Sequence, residues 1–147
     1  MAQVTAQASR TIAAPADTVY AALADYATTR PKILTDSYRD YRVEAGGQGT
    51  GTRAAWKLQA TRSRVRDQVV DVTEPAPRRL VEADANSSMV TVWTVRPEGP
   101  DRSTVTVDTR WNGAGGIGGF FERLFAPSGL ARIHDGVLEK LDAVVTR

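Results

Sequence analysis

Residues 38 to 111 constrain the fold more than any other part of the chain. They contain six consecutive strand-like runs, "YRDYRVEA", "TRAAWKLQA", "RVRDQVVDV", "RLVEADA", "MVTVWTVR" and "STVTVDTRW", broken by the turn signals "GGQGTG", "TEPAPR" and "PEGPDR". These connectors are too short for the crossover that parallel strands need, so neighbouring strands must pair antiparallel. An earlier run, "VTAQASRTI", alternates Val4, Ala6, Ala8 and Ile12 with Thr5, Gln7, Ser9 and Thr11, as a half-buried strand does. The period then becomes helical in "APADTVYAALADY", where Pro15 suits a first turn, Asp17 complements the helix N-terminus, and Val19, Leu23 and Tyr26 share a face. "TTRPKILTDSY" predicts a second short helix starting near Pro31. At the other end, Leu130, Ile133, Val137, Leu141 and Val144 recur at spacings of three and four. Arg132, Asp135, Glu139, Asp142 and Thr146 oppose them, so a long amphipathic helix should lay one face on the sheet. Ahead of it, Ile117, Phe120, Phe121 and Leu124 form a shorter apolar face, separated from the long helix because Pro127 disfavours helical geometry at Ala126.

A chain of 147 residues with a 41% hydrophobic share suits one domain spanning residues 1–147. Zero cysteines exclude a disulfide framework and a thiolate metal site, and a reducing cytoplasmic setting is expected. No basic start with an apolar core opens the chain, and no run of eighteen apolar residues occurs, so neither secretion nor stable membrane insertion is expected. Asn86-Ser87-Ser88 is therefore discounted as a glycosylation acceptor. The near balance of 19 basic and 17 acidic residues, net +2, argues against nucleic-acid binding. The local excess at Arg53, Lys57, Arg62, Arg64 and Arg66 has no interleaved aromatics for base stacking and is expected to be a solvated outer face of the sheet.

Gly113, Gly115 and Gly118 fit G-x-G-x-x-G between a strand and a helix. A dinucleotide turn requires a following parallel strand bearing an acid for the ribose, and here the sequence ends with the helix, which carries Glu139 and Asp142 itself. Gly119 stands where a phosphate-loop lysine would be. A sharp strand-to-helix connection accounts for these glycines without a cofactor.

Strand alternation puts Trp56 with Leu58 on one face, Met89, Thr91, Trp93 and Val95 on another, and Val105, Val107, Thr109 and Trp111 on a third. Three large rings on one concave side suit either a filled core or the wall of an apolar pocket. His134, the only histidine, is a weak catalytic candidate, because no acid on its own helix can orient it and any partner must reach across from the sheet. One His without Cys makes a metal site unexpected. Arg10 interrupts the apolar side of the first strand. It is expected at an edge with its head in water, the other way to hold it inward being a carboxylate or an anionic ligand group.

The order of elements, with "RTIAAPADTVYAALADYATTRPKIL" at the front, an "EPAPRRL" connector and "FFERLFAPSGLARIHDGVLEKLDAVV" at the end, resembles the START-related (SRPBCC) superfamily in its polyketide cyclase/dehydrase and lipid-transport branch. That resemblance implies an α+β helix-grip fold, in which a curved antiparallel sheet wraps around the C-terminal helix. It also implies a cavity for a hydrophobic small molecule such as a lipid or aromatic polyketide. Together with the face analysis it marks Tyr26, Trp56, Leu58, Trp93, Thr109, Trp111, Phe120, Phe121, Leu124, His134 and Val137 as cavity residues, Phe120 and Phe121 near the mouth. No cofactor is implied, and the protein would be a monomer or homodimer. Two other functions are open at this point, an aromatase/cyclase-like enzyme and a protein-interaction module with a filled core.

Overall fold

In the computed structural model, which describes residues 3–61, 64–112 and 127–147, the short connectors have the expected consequence. Seven strands form one sheet: β1 Gln3–Ile12, β2 Tyr38–Ala45, β3 Arg53–Thr61, β4 Arg64–Ala76, β5 Arg79–Asp84, β6 Val90–Pro97 and β7 Ser103–Asn112. Their order is β1-β7-β6-β5-β4-β3-β2 and every pairing is antiparallel. β2 to β7 thus run as an uninterrupted meander, and β1 closes onto β7 in a continuous register from Gln3↔Asn112 to Ile12↔Ser103. Helices α1 (Ala16–Ala24) and α2 (Arg30–Ile33) connect β1 to β2, and α3 (Pro127–Val145) packs across the sheet. No described helix is long and apolar enough to cross a membrane.

One boundary differs from expectation. β4 continues through Thr73 to Ala76, into the stretch read as a turn, and the reversal falls at Pro77 and Arg78, the latter with φ of 57°. Pro75 is accommodated because the register with β5 is irregular between Thr73 and Ala76, where a missing N–H costs no ladder bond.

The apolar face of α3 is also rotated slightly from the predicted stripe. Leu130, Val137, Leu138 and Leu141 are buried, whereas Ile133 is only partly covered and Val144 is exposed. Against them lie the inward residues of the sheet, including Ala6, Ala8 and Ile12 of β1, Trp93 and Val95 of β6, and Val105, Val107 and Trp111 of β7. Arg10 sits on edge strand β1, as expected, and its Nε also donates to Asp142 of α3 at 2.8 Å, so the helix supplies a carboxylate partner.

The arginine cluster is not all on the outer face. Arg66 pairs across the strands with buried Leu58, which puts it on the inner side at a sheet end, where it donates to the Asn86 carbonyl at 2.9 Å. Arg53 and Lys57 do point outward, within 4.0 Å of acidic side chains, and Arg62 lies outside the described residues. The glycine stretch from Gly113 to Gly119 also lies outside them. Among the described residues no parallel strand pair exists, and Glu139 and Asp142 are on α3, which leaves a dinucleotide unit without its second strand.

The β2–β3 turn fastens the front helices to the sheet. The Gly47 carbonyl accepts the N–H groups of Tyr26 and Ala27, and the Gly49 N–H donates to the Ala24 carbonyl. Gly46 is required there: its φ is 68°, and a Cβ would lie 2.8 Å from the Gly51 carbonyl oxygen.

Because Leu141 is fully buried and Val144 is 38% exposed, Leu141→Ala is expected to cost about 2–5 kcal/mol and Val144→Ala under about 1 kcal/mol in urea unfolding. Equal costs would show that α3 does not present this face to the sheet.

Candidate functional site

Between the inner face of the sheet and α3 lies a cavity. Its walls come from Trp56 and Leu58 of β3, Gln68 and Val70 of β4, Glu82 and Asp84 of β5, Thr91 and Trp93 of β6, and Thr109 of β7. Leu130, His134 and Val137 of α3 form the opposite side, while Arg30, Leu34, Tyr38 and Met89 complete the lining. The enclosed space is about 20 Å³, enough for about one or two water molecules. Leu34, Tyr38 and Thr91 are only partly buried, and the other lining residues are buried.

The dominant feature of this wall is a buried ion pair. Arg30 and Glu82 are 2% and 4% exposed, and Arg30 Nη1 donates to Glu82 Oε2 at 2.7 Å. Burying two charges is costly unless nearly every donor and acceptor is matched. Here Arg30 Nε and Nη2 donate to the Leu23 carbonyl at the end of α1, at 3.2 and 3.0 Å. Glu82 also accepts the Tyr26 hydroxyl at 2.5 Å and the Trp93 indole N–H at 3.0 Å. The guanidinium carbon lies 4.4 Å from the Tyr26 ring centre and 5.0 Å from that of Trp93, so two π faces surround the cation. Burial works against the charge of Arg30, but Glu82 and the neighbouring tyrosines hold its pKa above the ordinary value. Burial pushes the Tyr26 hydroxyl well up, with Arg30 opposing.

Local structure explains how Arg30 reaches this place. Asp25 ends α1 and folds the next turn by accepting the Thr28 N–H, the Thr29 hydroxyl and the Gln48 amide, and its carbonyl accepts the Arg30 N–H. Arg30 thereby becomes the first residue of α2, with Pro31 behind it, and points under the helix into the core.

Further polar side chains line the cavity, among them Gln68, His134, Thr91 and Thr109. Gln68 Oε1 accepts the Trp56 indole N–H at 2.8 Å, and its Nε2 donates to Met89 Sδ at 3.0 Å. His134, 3% exposed, has Nε2 at 2.8 Å from Thr109 Oγ1, which is 2.7 Å from Thr91 Oγ1. Its Nδ1 has no hydrogen-bond partner among the described residues. Burial pushes the imidazole down to about 4, against the fields of Glu82 and Asp108, so it is neutral at pH 7.

Of the residues expected to form a site, Trp56, Leu58, Trp93, Thr109, His134 and Val137 converge on this one cavity. Tyr26 and Trp111 are buried outside its lining, Tyr26 behind Glu82. Phe120, Phe121 and Leu124 lie outside the described residues. The partner of His134 does reach across from the sheet, but it is a threonine and not an acid. Sequence reasoning missed Arg30, Glu82 and Gln68. A signal existed for Glu82: it alternates with buried Leu80 and Asp84 on the inward side of β5, where a carboxylate needs a cation. For Arg30, four residues after Tyr26 at the start of a four-residue helix, no periodicity marks burial.

A family model described as polyketide cyclase / dehydrase and lipid transport matches residues 3–146. The KanY protein, solved in solution by NMR, is 52% identical with both chains covered in full and a TM-score of 0.90. A START superfamily protein from Mycobacterium smegmatis is 12% identical over 97% of each chain, with a TM-score of 0.72. The Zhui aromatase/cyclase from Streptomyces sp. R1128 is 17% identical over 99% of this chain and 89% of its own, with a TM-score of 0.65. These last two are likenesses of fold. No curated protein matches the chain.

Removing one member of the buried pair, by Arg30→Met or Glu82→Leu, is expected to cost about 3–5 kcal/mol, while the double variant should cost clearly less than the sum. Additive losses in urea unfolding would contradict the pairing. His134 supplies a second check. Its folded pKa lies below the unfolded value of 6.5, so the unfolded chain binds the extra proton first and stability falls on acidification from pH 6.5 to 4. Relative to His134→Gln, the wild type should lose up to about 3 kcal/mol over that window, and parallel pH profiles would refute the burial of a neutral imidazole.

Proposed function

Because the chain belongs to the polyketide cyclase/dehydrase and lipid transport family, we propose that it binds a hydrophobic small molecule between sheet and α3, as a carrier or sequestering protein and not as a cyclase. The observation that carries this reading is the lining: Trp56, Trp93, Leu58, Val70, Leu130 and Val137 give an apolar wall, set with a few polar groups that are already ordered by hydrogen bonds. Those groups are poorly disposed for proton transfer. The Glu82 carboxylate is engaged by Arg30, Tyr26 and Trp93. Tyr26, behind Glu82 and outside the lining, holds its proton well above the usual range, and His134, at about 4, is a weak base at neutral pH.

The enclosed 20 Å³ is far below the roughly 300 Å³ or more that typical ligand sites offer, so binding requires the wall to move apart. Leu34 and Tyr38, partly exposed members of the lining, are side chains whose displacement would widen it. The same small volume favours the second reading, an interaction module whose core stays filled.

Native mass spectrometry of the purified protein, followed by organic extraction, separates the two. A stoichiometric lipid or aromatic adduct is expected, and Val137→Phe, which adds bulk inside the lining, should abolish it with the circular dichroism spectrum intact. A clean apo mass, with no change in tryptophan fluorescence across a hydrophobic panel, would support the filled-core module.

A further inference from the structure

Resting on the binding function proposed above, we propose that the ligand is an apolar molecule bearing an uncharged hydroxyl, received by His134 beside the Thr91–Thr109 pair, and that the cavity rejects the matching carboxylate.

The first ground is proton bookkeeping around His134. Its ring lines the cavity, Nε2 is tied to Thr109, and buried Nδ1 has no partner among the described residues. A neutral imidazole carries one N–H, and both tautomers are self-consistent here. With the proton on Nε2, His134 donates to Thr109, Thr109 donates to Thr91, and Nδ1 offers a lone pair. With the proton on Nδ1, Thr91 donates to Thr109, Thr109 donates to Nε2, and Nδ1 offers a donor. A hydroxyl both donates and accepts, so it completes Nδ1 in either state. A carboxylate can serve only the second, and a hydrocarbon serves neither. Leaving a buried polar atom unmatched is costly, which makes this the position where a ligand gains most from one polar group.

Charge is the second ground. Among the described residues, the ionic groups lining the cavity are Arg30, Glu82 and Asp84, one cation against two carboxylates. Arg30 is occupied by Glu82, the Leu23 carbonyl and, at 3.4 Å, the Tyr26 hydroxyl. The Trp56 and Trp93 indole N–H groups are taken by Gln68 and Glu82. An anion entering this lining would meet net negative charge with the strongest donors already engaged. Finally, Trp93 stands edge-on to the imidazole, with ring centres 6.1 Å apart at 68°, which places an aromatic wall beside the hydroxyl-accepting point and suits a ring-bearing body.

Naphthalene, 2-naphthol and 2-naphthoate share one body and differ in the group presented. Protein-observed NMR titrations at pH 7 should give 2-naphthol at least about tenfold tighter binding than either of the others. His134→Phe should bring the naphthol-to-naphthalene ratio close to 1. Thr109→Val, a milder change that frees the imidazole, should narrow it in the same direction. Binding of 2-naphthoate as tight as that of 2-naphthol, or an unchanged ratio in both variants, would overturn this inference while leaving the binding function standing. No binding by any of the three would overturn both.

Discussion

The Arg30–Glu82 pair is the constraint around which the interior is organised. Two opposite charges, almost wholly removed from water, are tolerable only because their remaining bonding capacity is met by the Leu23 carbonyl, the Tyr26 hydroxyl and the Trp93 indole. Those partners come from α1, the α1–α2 turn and β6, while the pair itself joins α2 to β5. One polar cluster therefore sets where the short helices sit on the sheet. The apolar contacts of the region are not directional, and a four-residue helix has too little surface to find one position by burial alone.

From that arrangement follows the character of the cavity. Several of its polar groups are tied to one another, tryptophan to glutamine, tryptophan to glutamate and threonine to threonine. Nδ1 of His134, whose Nε2 is anchored by Thr109, has no hydrogen-bond partner among the described residues. Burial keeps a histidine so placed neutral at pH 7. The likeness to an aromatase/cyclase extends to the fold, and chemistry has to be judged from the groups inside it.

The antiparallel meander, the first strand, the two front helices and the terminal helix were legible because each rests on a local pattern: period two, period 3.6, or a connector too short for a crossover. Part of the cavity wall was legible for the same reason, since alternation already grouped Trp56 with Leu58 and Trp93 with Met89 and Thr91. Local patterns failed where the answer depended on a residue distant in sequence. Arg66 looked like one of a solvated stripe until its pairing with Leu58 put it on the inner side. Pro75 looked like a turn residue until the β4–β5 register showed that its missing N–H was not needed.

By itself, then, the sequence determined the fold class and the inward faces of the strands, because hydrophobic periodicity and turn chemistry act over a few residues. Only the tertiary structure decided that Arg30 and Glu82, 52 residues apart, meet as a buried pair, that the Thr109 hydroxyl reaches His134, and that the space between sheet and helix closes to about 20 Å³. Each of these is set by the packing of distant elements, through the cost of burying unmatched charge and the close fit of side chains, and neither leaves a mark at any fixed spacing along the chain.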